Sequence, residues 1–186
     1  MQRLRFTFRR LPLAGVLAAG LVLGGTVFTA KSAEAPAFNT DLTLADIMEG
    51  IVMSSADVLW TSVSVDVSTE GEKITAPETD EDWTRLRHAA VTLAASTNLL
   101  VVPGLKIDNP ADSTESAQGE LSPAAIAKLR NENLPAWAAH AEALHQTALQ
   151  AIKAIDDHNA EGLNDVGGDL DAVCESCHLQ FWYPGG

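Results

Sequence analysis

The chain has 186 residues, with 12 Lys+Arg against 25 Asp+Glu and a formal net charge of −13. Such an acidic protein is repelled by phosphate backbones and anionic lipid surfaces, which excludes nucleic acid as a partner and favours a basic protein. Acidity also keeps an exported protein soluble, an equally good account of the same charge.

Residues 1–35 follow the order of a secretory signal. Arg3, Arg5, Arg9 and Arg10 precede an apolar run from Leu11 to Ala30, and Ala33 and Ala35 supply the small residues of a cleavage site. Cleavage after Ala35 is expected, with the mature protein in the periplasm. The apolar run is also long enough to serve as an uncleaved anchor, the one route to a membrane. Removal of residues 1–35 from the 186 leaves 151, carrying 7 Lys+Arg and 24 Asp+Glu, a net of −17. That is enough for one core, so residues 36–186 are read as a single domain.

Residues 36–40 read as a short linker. From Thr43 to about Val63 the spacing of Leu44, Met48, Ile51, Ser55, Val58 and Leu59 predicts a helix, with Asp46, Glu49 and Asp57 falling largely away from the apolar stripe. Residues 64–78 read as a loop with a short extended piece, because Val65 and Val67 continue an alternation begun at Val63. Thr79 with Asp82 resembles a capping box, and Trp83, Leu86, Ala90, Leu93, Ala94, Thr97 and Leu100 continue as a second helix. Pro103-Gly104 stops it, and residues 104–120 carry few apolar side chains, as a long surface loop would. Ser122-Pro123 starts a third helix that reaches Ile155, with Pro135 kinking or dividing it. Residues 156–162 break the pattern, and a last helix covers about Asn164 to Trp182. Four amphipathic helices without a convincing strand predict an all-α fold, a four-helix bundle.

The last helix holds Cys174-Glu175-Ser176-Cys177-His178, with the only two cysteines of the chain. C-x-x-C-H is the attachment pattern of a c-type haem. On a helix the two thiols stand on one side, where each sulfur reaches a haem vinyl group, and the next residue aims its imidazole at the iron. A redox dithiol, a zinc half-site and a plain disulfide are the competing readings. No second cysteine pair completes a four-cysteine zinc site; a redox dithiol is expected early, after a strand; and His178 has no role in a simple disulfide. The expected cofactor is therefore one covalently attached haem c, bound by Cys174, Cys177 and His178, with Phe181 and Trp182 covering the ring edge.

One exported domain of four helices, with C-x-x-C-H in the last, resembles the class II cytochromes c: cytochrome c-prime and its low-spin, methionine-ligated relatives. The likeness covers about residues 41–183. It implies an antiparallel bundle with the haem near one end and His178 as proximal ligand; it also implies single-electron transfer between ferric and ferrous iron rather than catalysis, and pairing as a homodimer. The family differs at the other face of the iron, which is either empty and open to gases such as nitric oxide and carbon monoxide or filled by a methionine of the first helix. At about 100° per residue, Met48 and Met53 lie about 140° apart, so one at most faces the haem. Met48 shares the apolar stripe and is the candidate distal ligand; an ordinary core methionine is the competing reading.

The remaining histidines, His88, His140, His145 and His158, read as surface or interface residues, and the spacing of His140 and His145 does not make a helical zinc pair. Trp60, Trp83 and Trp137 read as core anchors. Arg85 and Arg87 are candidates to neutralise a haem propionate, with a solvated helix face as the default. The expected function is electron transfer to a redox partner with a basic surface. Five-coordinate gas binding and a haem subunit of a larger respiratory complex, suggested by the long loops at 64–78 and 104–120, are the alternatives.

Overall fold

The computed structural model describes residues 38–69, 71–108 and 116–185; the signal-like segment 1–35 lies outside the described residues. Apart from one hairpin, the described chain is all-α.

The first helix begins where side chains satisfy its free N–H groups. Thr43 Oγ1 accepts from Asp46 N at 3.1 Å and the Asp46 carboxylate accepts from Thr43 N at 2.8 Å, a reciprocal capping box. From there the backbone stays helical through α1 (Leu44–Ile47), a π-helical segment (Met48–Met53) and α2 (Ser54–Trp60). In the wider π turn backbone hydrogen bonds join residues five apart, and Ser54 Oγ adds its own bond to Glu49 O at 3.1 Å across it. The apolar spacing gave no sign of this segment.

Residues 64–78 correct the sequence reading. They form an antiparallel hairpin of β1 (Ser64–Ser68) and β2 (Gly71–Thr75), with Val65 opposite Ile74 and Ser68 opposite Gly71. Gly71 has φ +125°, a backbone state that side chains resist, so the chain can reverse tightly there. The alternation at Val63, Val65 and Val67 was strand periodicity, and its partner strand was hidden among polar residues.

α3 (Asp80–Leu100) starts at a full capping box between Thr79 and Asp82. Ser122 caps α4 (Pro123–Glu132), accepting from Ala125 N at 3.3 Å. Pro135 divides the expected third helix rather than kinking it. Asn133 leaves helical geometry, and Pro135 falls in the first turn of α5 (Leu134–Asp156), where its missing N–H costs no hydrogen bond. α6 (Ala160–Phe181) starts four residues earlier than expected because Asn159 caps it, accepting from Gly162 N at 3.0 Å. Before the cap, His158 takes a left-handed φ of 50° and stacks on Trp83 with ring centroids 4.8 Å apart.

α3 packs along α5, α5 along α6, and the first helix against α3 and α6, while α4 touches α5 and α6. Each long helix contributes one buried stripe, among them Leu86, Ala90 and Leu93 of α3, Ala148 and Ala151 of α5, and Leu163 and Leu170 of α6. Tryptophan side chains are among the groups that tie helices together by hydrogen bonds. Trp60 Nε1 donates to Gly167 O at 3.0 Å and Trp137 Nε1 to Leu100 O at 2.8 Å.

The segment after α3 is another correction. It was expected to lie on the surface, yet Leu105 and Ile107 are buried in the core. The carbonyls of Lys106 and Ile107 accept from Leu44 N (2.8 Å) and Ala45 N (3.0 Å), so this strap secures the start of the first helix. Two apolar residues among polar ones carry no periodic signal.

Leu86 is fully buried at the centre of this packing. Leu86→Ala is expected to destabilise the chain by about 2–4 kcal/mol through lost burial and a residual cavity. Urea unfolding followed by circular dichroism should show a lower midpoint with an unchanged slope.

Candidate functional site

At one end the helices part around a cavity of about 550 Å³, within the range of roughly 300–1,000 Å³ that cofactor sites occupy. α6 supplies Cys174, Cys177, His178, Phe181 and Trp182 to its wall. Each lies three or four residues from another of the five, the spacing that makes side chains neighbours on one side of a helix. The first helix faces them with Leu44, Ala45, Met48, Glu49 and Met53. Trp137, His140, Ala141 and Leu144 of α5 close one side; Ile126 of α4 and the loop residues Ile107, Asp108, Glu120 and Leu121 close the other. The five α6 residues expected to touch the cofactor and Met48 therefore line one cavity.

Cys174 and Cys177 are free thiols, half-buried against the core. Burial pushes both pKa values up to about 11, with smaller contributions from Asp171 at Cys174 and from Cys174 at Cys177. A dithiol built for disulfide exchange needs the opposite shift, toward thiolate. Burial also lowers the pKa of His178, an effect that the carboxylate of Glu175 partly offsets, so near neutral pH its imidazole is uncharged, the form that ligates metals. Neither ring nitrogen of His178 has a hydrogen-bond partner among the described residues, so no protein group there competes for its lone pair.

Aromatic contacts hold this end of α6. Phe181, 2% exposed, meets Trp137 edge-on at 5.0 Å and His140 at 5.8 Å. Trp182 packs edge-on against the His178 ring at 5.1 Å, with Tyr183 at 6.0 Å. The helix ends on His178 O, which accepts from Trp182 N at 2.8 Å and Tyr183 N at 3.0 Å, while Tyr183 Oη donates to Glu175 Oε2 at 2.6 Å. Leu121 N then bonds Trp182 O at 2.7 Å, drawing the loop over this corner.

The geometry expected of the first helix needs correction. The π-helical segment stacks residues five apart, so Met48 and Met53 both line the cavity, against the α-helical expectation that at most one would. Met48 is half-buried against the core, whereas Met53 is 44% exposed. Arg85 and Arg87 lie on a solvated helix face, their default reading, where Arg85 pairs with Asp82 at 3.5 Å and Arg87 with Asp156 at 2.7 Å. Neither lines the cavity, and among the described residues its lining holds carboxylates at Glu49, Asp108 and Glu120 without a lysine or arginine.

Of the other histidines, His88 is exposed, His145 bonds Ala94 O at 3.0 Å, and His158 stacks on Trp83. His140 is the one that the sequence reading undervalued. Its Nε2 pairs with Gln180 Oε1 at 2.7 Å and its Nδ1 with Ser176 Oγ at 3.3 Å, so it holds α6 on both sides of Cys177 and His178. Its position three residues after Trp137, beside the Ala141–Leu144 stripe, was the available signal.

Comparison with family models, curated proteins and solved structures finds no match to this chain. Residues and geometry alone carry the reading of the site.

Two measurements check this geometry. Alkylation of Cys174 and Cys177 in the folded, haem-free chain should be slow at pH 8 and accelerate toward pH 11, following thiols whose pKa is raised to about 11; a rate already at its plateau by pH 8 contradicts the buried setting. His140→Ala removes two hydrogen bonds to α6 and should lower stability by about 1 kcal/mol in chemical denaturation.

Proposed function

We propose that the chain is a mono-haem c-type cytochrome of class II type, an antiparallel four-helix bundle that passes single electrons in the periplasm. The observation that carries this reading is the convergence of all five α6 residues and Met48 on one cavity of about 550 Å³. The donor set suits haem c: two unpaired thiols one helical turn apart, and a neutral imidazole in the next position. Haem c, when bound, supplies reversible one-electron chemistry between ferric and ferrous iron.

Cys174 and Cys177 would hold the group by thioether bonds. Attachment would add each thiol across one vinyl group, its sulfur to one carbon and its proton to the other, a balance that needs no oxidant. His178 would ligate the iron, with its ring orientation limited by Trp182 and Tyr183. Met48, half-buried on the facing wall, would offer its thioether as a second ligand and raise the reduction potential relative to a second histidine. Leu44, Leu100, Ile126, Trp137 and Leu144 give the cavity an apolar lining that would limit water around the bound group, lower the local dielectric and so tune the potential.

The carboxylates at the cavity and the net charge of −13 favour a redox partner with a basic surface, met quickly and weakly and with strong salt dependence. Export through residues 1–35 would deliver the chain to the periplasm. Pairing as a homodimer belongs to the same reading through the family resemblance.

Expression in cells competent in c-type haem maturation tests the proposal. A red product is expected, with haem that stays on the chain under denaturing conditions, sharp low-spin bands on reduction, and the weak far-red band of methionine–iron coordination when oxidised. Replacing both cysteines by serine should leave no covalently attached haem. A colourless wild-type product overturns the reading. A broad high-spin spectrum that changes on adding carbon monoxide keeps the haem and replaces electron transfer with gas binding.

A further inference from the structure

The π-helical segment gives the cavity something an α-helix would withhold: two thioethers on one wall. Met48 and Met53, the only methionines of the described chain, stand one π turn apart and both line the cavity that His178 lines from α6. π turns are rare, since each disturbs the regular α-helical hydrogen-bond ladder, and they gather at functional sites. Here the turn spans Met48–Met53 from first residue to last, and Ser54 Oγ reinforces it by bonding Glu49 O at 3.1 Å.

The two sulfurs differ in setting. Met48 packs against the core, whereas Met53 is 44% exposed at the edge of the cavity. A flexible, unbranched thioether at an edge can swing into a site or out of it at little cost. The first helix itself is fixed at its start by the capping box and by the strap through Lys106 and Ile107, so exchange between the two sulfurs would need side-chain rotation and no helix movement.

We propose that Met53 is a second thioether ligand for the iron, able to bind in place of Met48; this rests on the haem reading above. The exchange breaks one iron–sulfur bond and makes another, with no proton or electron gained or lost. Met48 would ligate in the resting protein, and Met53 would replace it when Met48 is displaced.

The test uses full-length holoprotein matured in cells competent for c-type haem attachment, as wild type, Met48→Leu, Met53→Leu and the double variant. Leucine is close to methionine in volume and helix preference, so folding should persist, and far-ultraviolet circular dichroism verifies it. The readout is the far-red methionine–iron band of the oxidised protein. Met53→Leu should leave the band unchanged, Met48→Leu should keep a weakened or shifted band, and the double variant should lose it and become high-spin. If Met48→Leu alone matches the double variant, Met53 is no ligand and the inference fails. It fails equally if the band vanishes in Met53→Leu, or if the wild type has no such band. A colourless wild type fails the haem reading itself, which separates the two outcomes.

Discussion

The edge-on contact of Phe181 with Trp137 sets the roll of α6 on α5, and the rest of the site depends on it. Phe181 is nearly fully buried, so its direction is not negotiable: exposing a ring of that size would cost on the order of 2 kcal/mol. On a helix, residues three, four and seven positions before it must share its face. Those positions are His178, Cys177 and Cys174. Burying one phenylalanine therefore turns all three chemistry-bearing residues inward, and His140 locks the same roll by bonding Ser176 and Gln180 to either side.

The facing wall is organised by a different constraint. A helix start needs partners for its free N–H groups, and here Asp46, Thr43 and the carbonyls of Lys106 and Ile107 provide them. That strap brings Leu105 and Ile107 into the core and carries the chain past the cavity, so the loop after α3 acts as part of the wall. The π segment then widens the helix where it faces α6 and presents both methionines. A rigid start followed by a widened turn gives this wall its shape.

Electrostatics follow from the same burial. Withdrawal from water keeps the two thiols protonated and His178 uncharged. Carboxylates at Glu49, Asp108 and Glu120 make the lining acidic. Neutral donors inside and negative charge around them are the electrostatic setting on which the proposed haem site and its cationic partner would rest.

By itself the sequence determined the helices, most of their caps and the triplet Cys174, Cys177 and His178, because local hydrogen bonding and helical spacing are properties of neighbouring residues. Thr79 with Asp82, Ser122 with Pro123, and the stripe from Trp83 to Leu100 all gave their local structure in advance. What only the tertiary structure decided involves partners distant in the chain. The strand facing Ser64–Ser68 is largely polar and became visible only through pairing. Leu105 and Ile107 carry no periodicity, and only the start of the first helix explains their burial. Met53 reaches the cavity through a π turn that apolar spacing cannot encode, and His140 acquires its role from Ser176 and Gln180 on another helix. Spacing along one helix fixes which residues share a face; what that face meets is fixed by packing between helices.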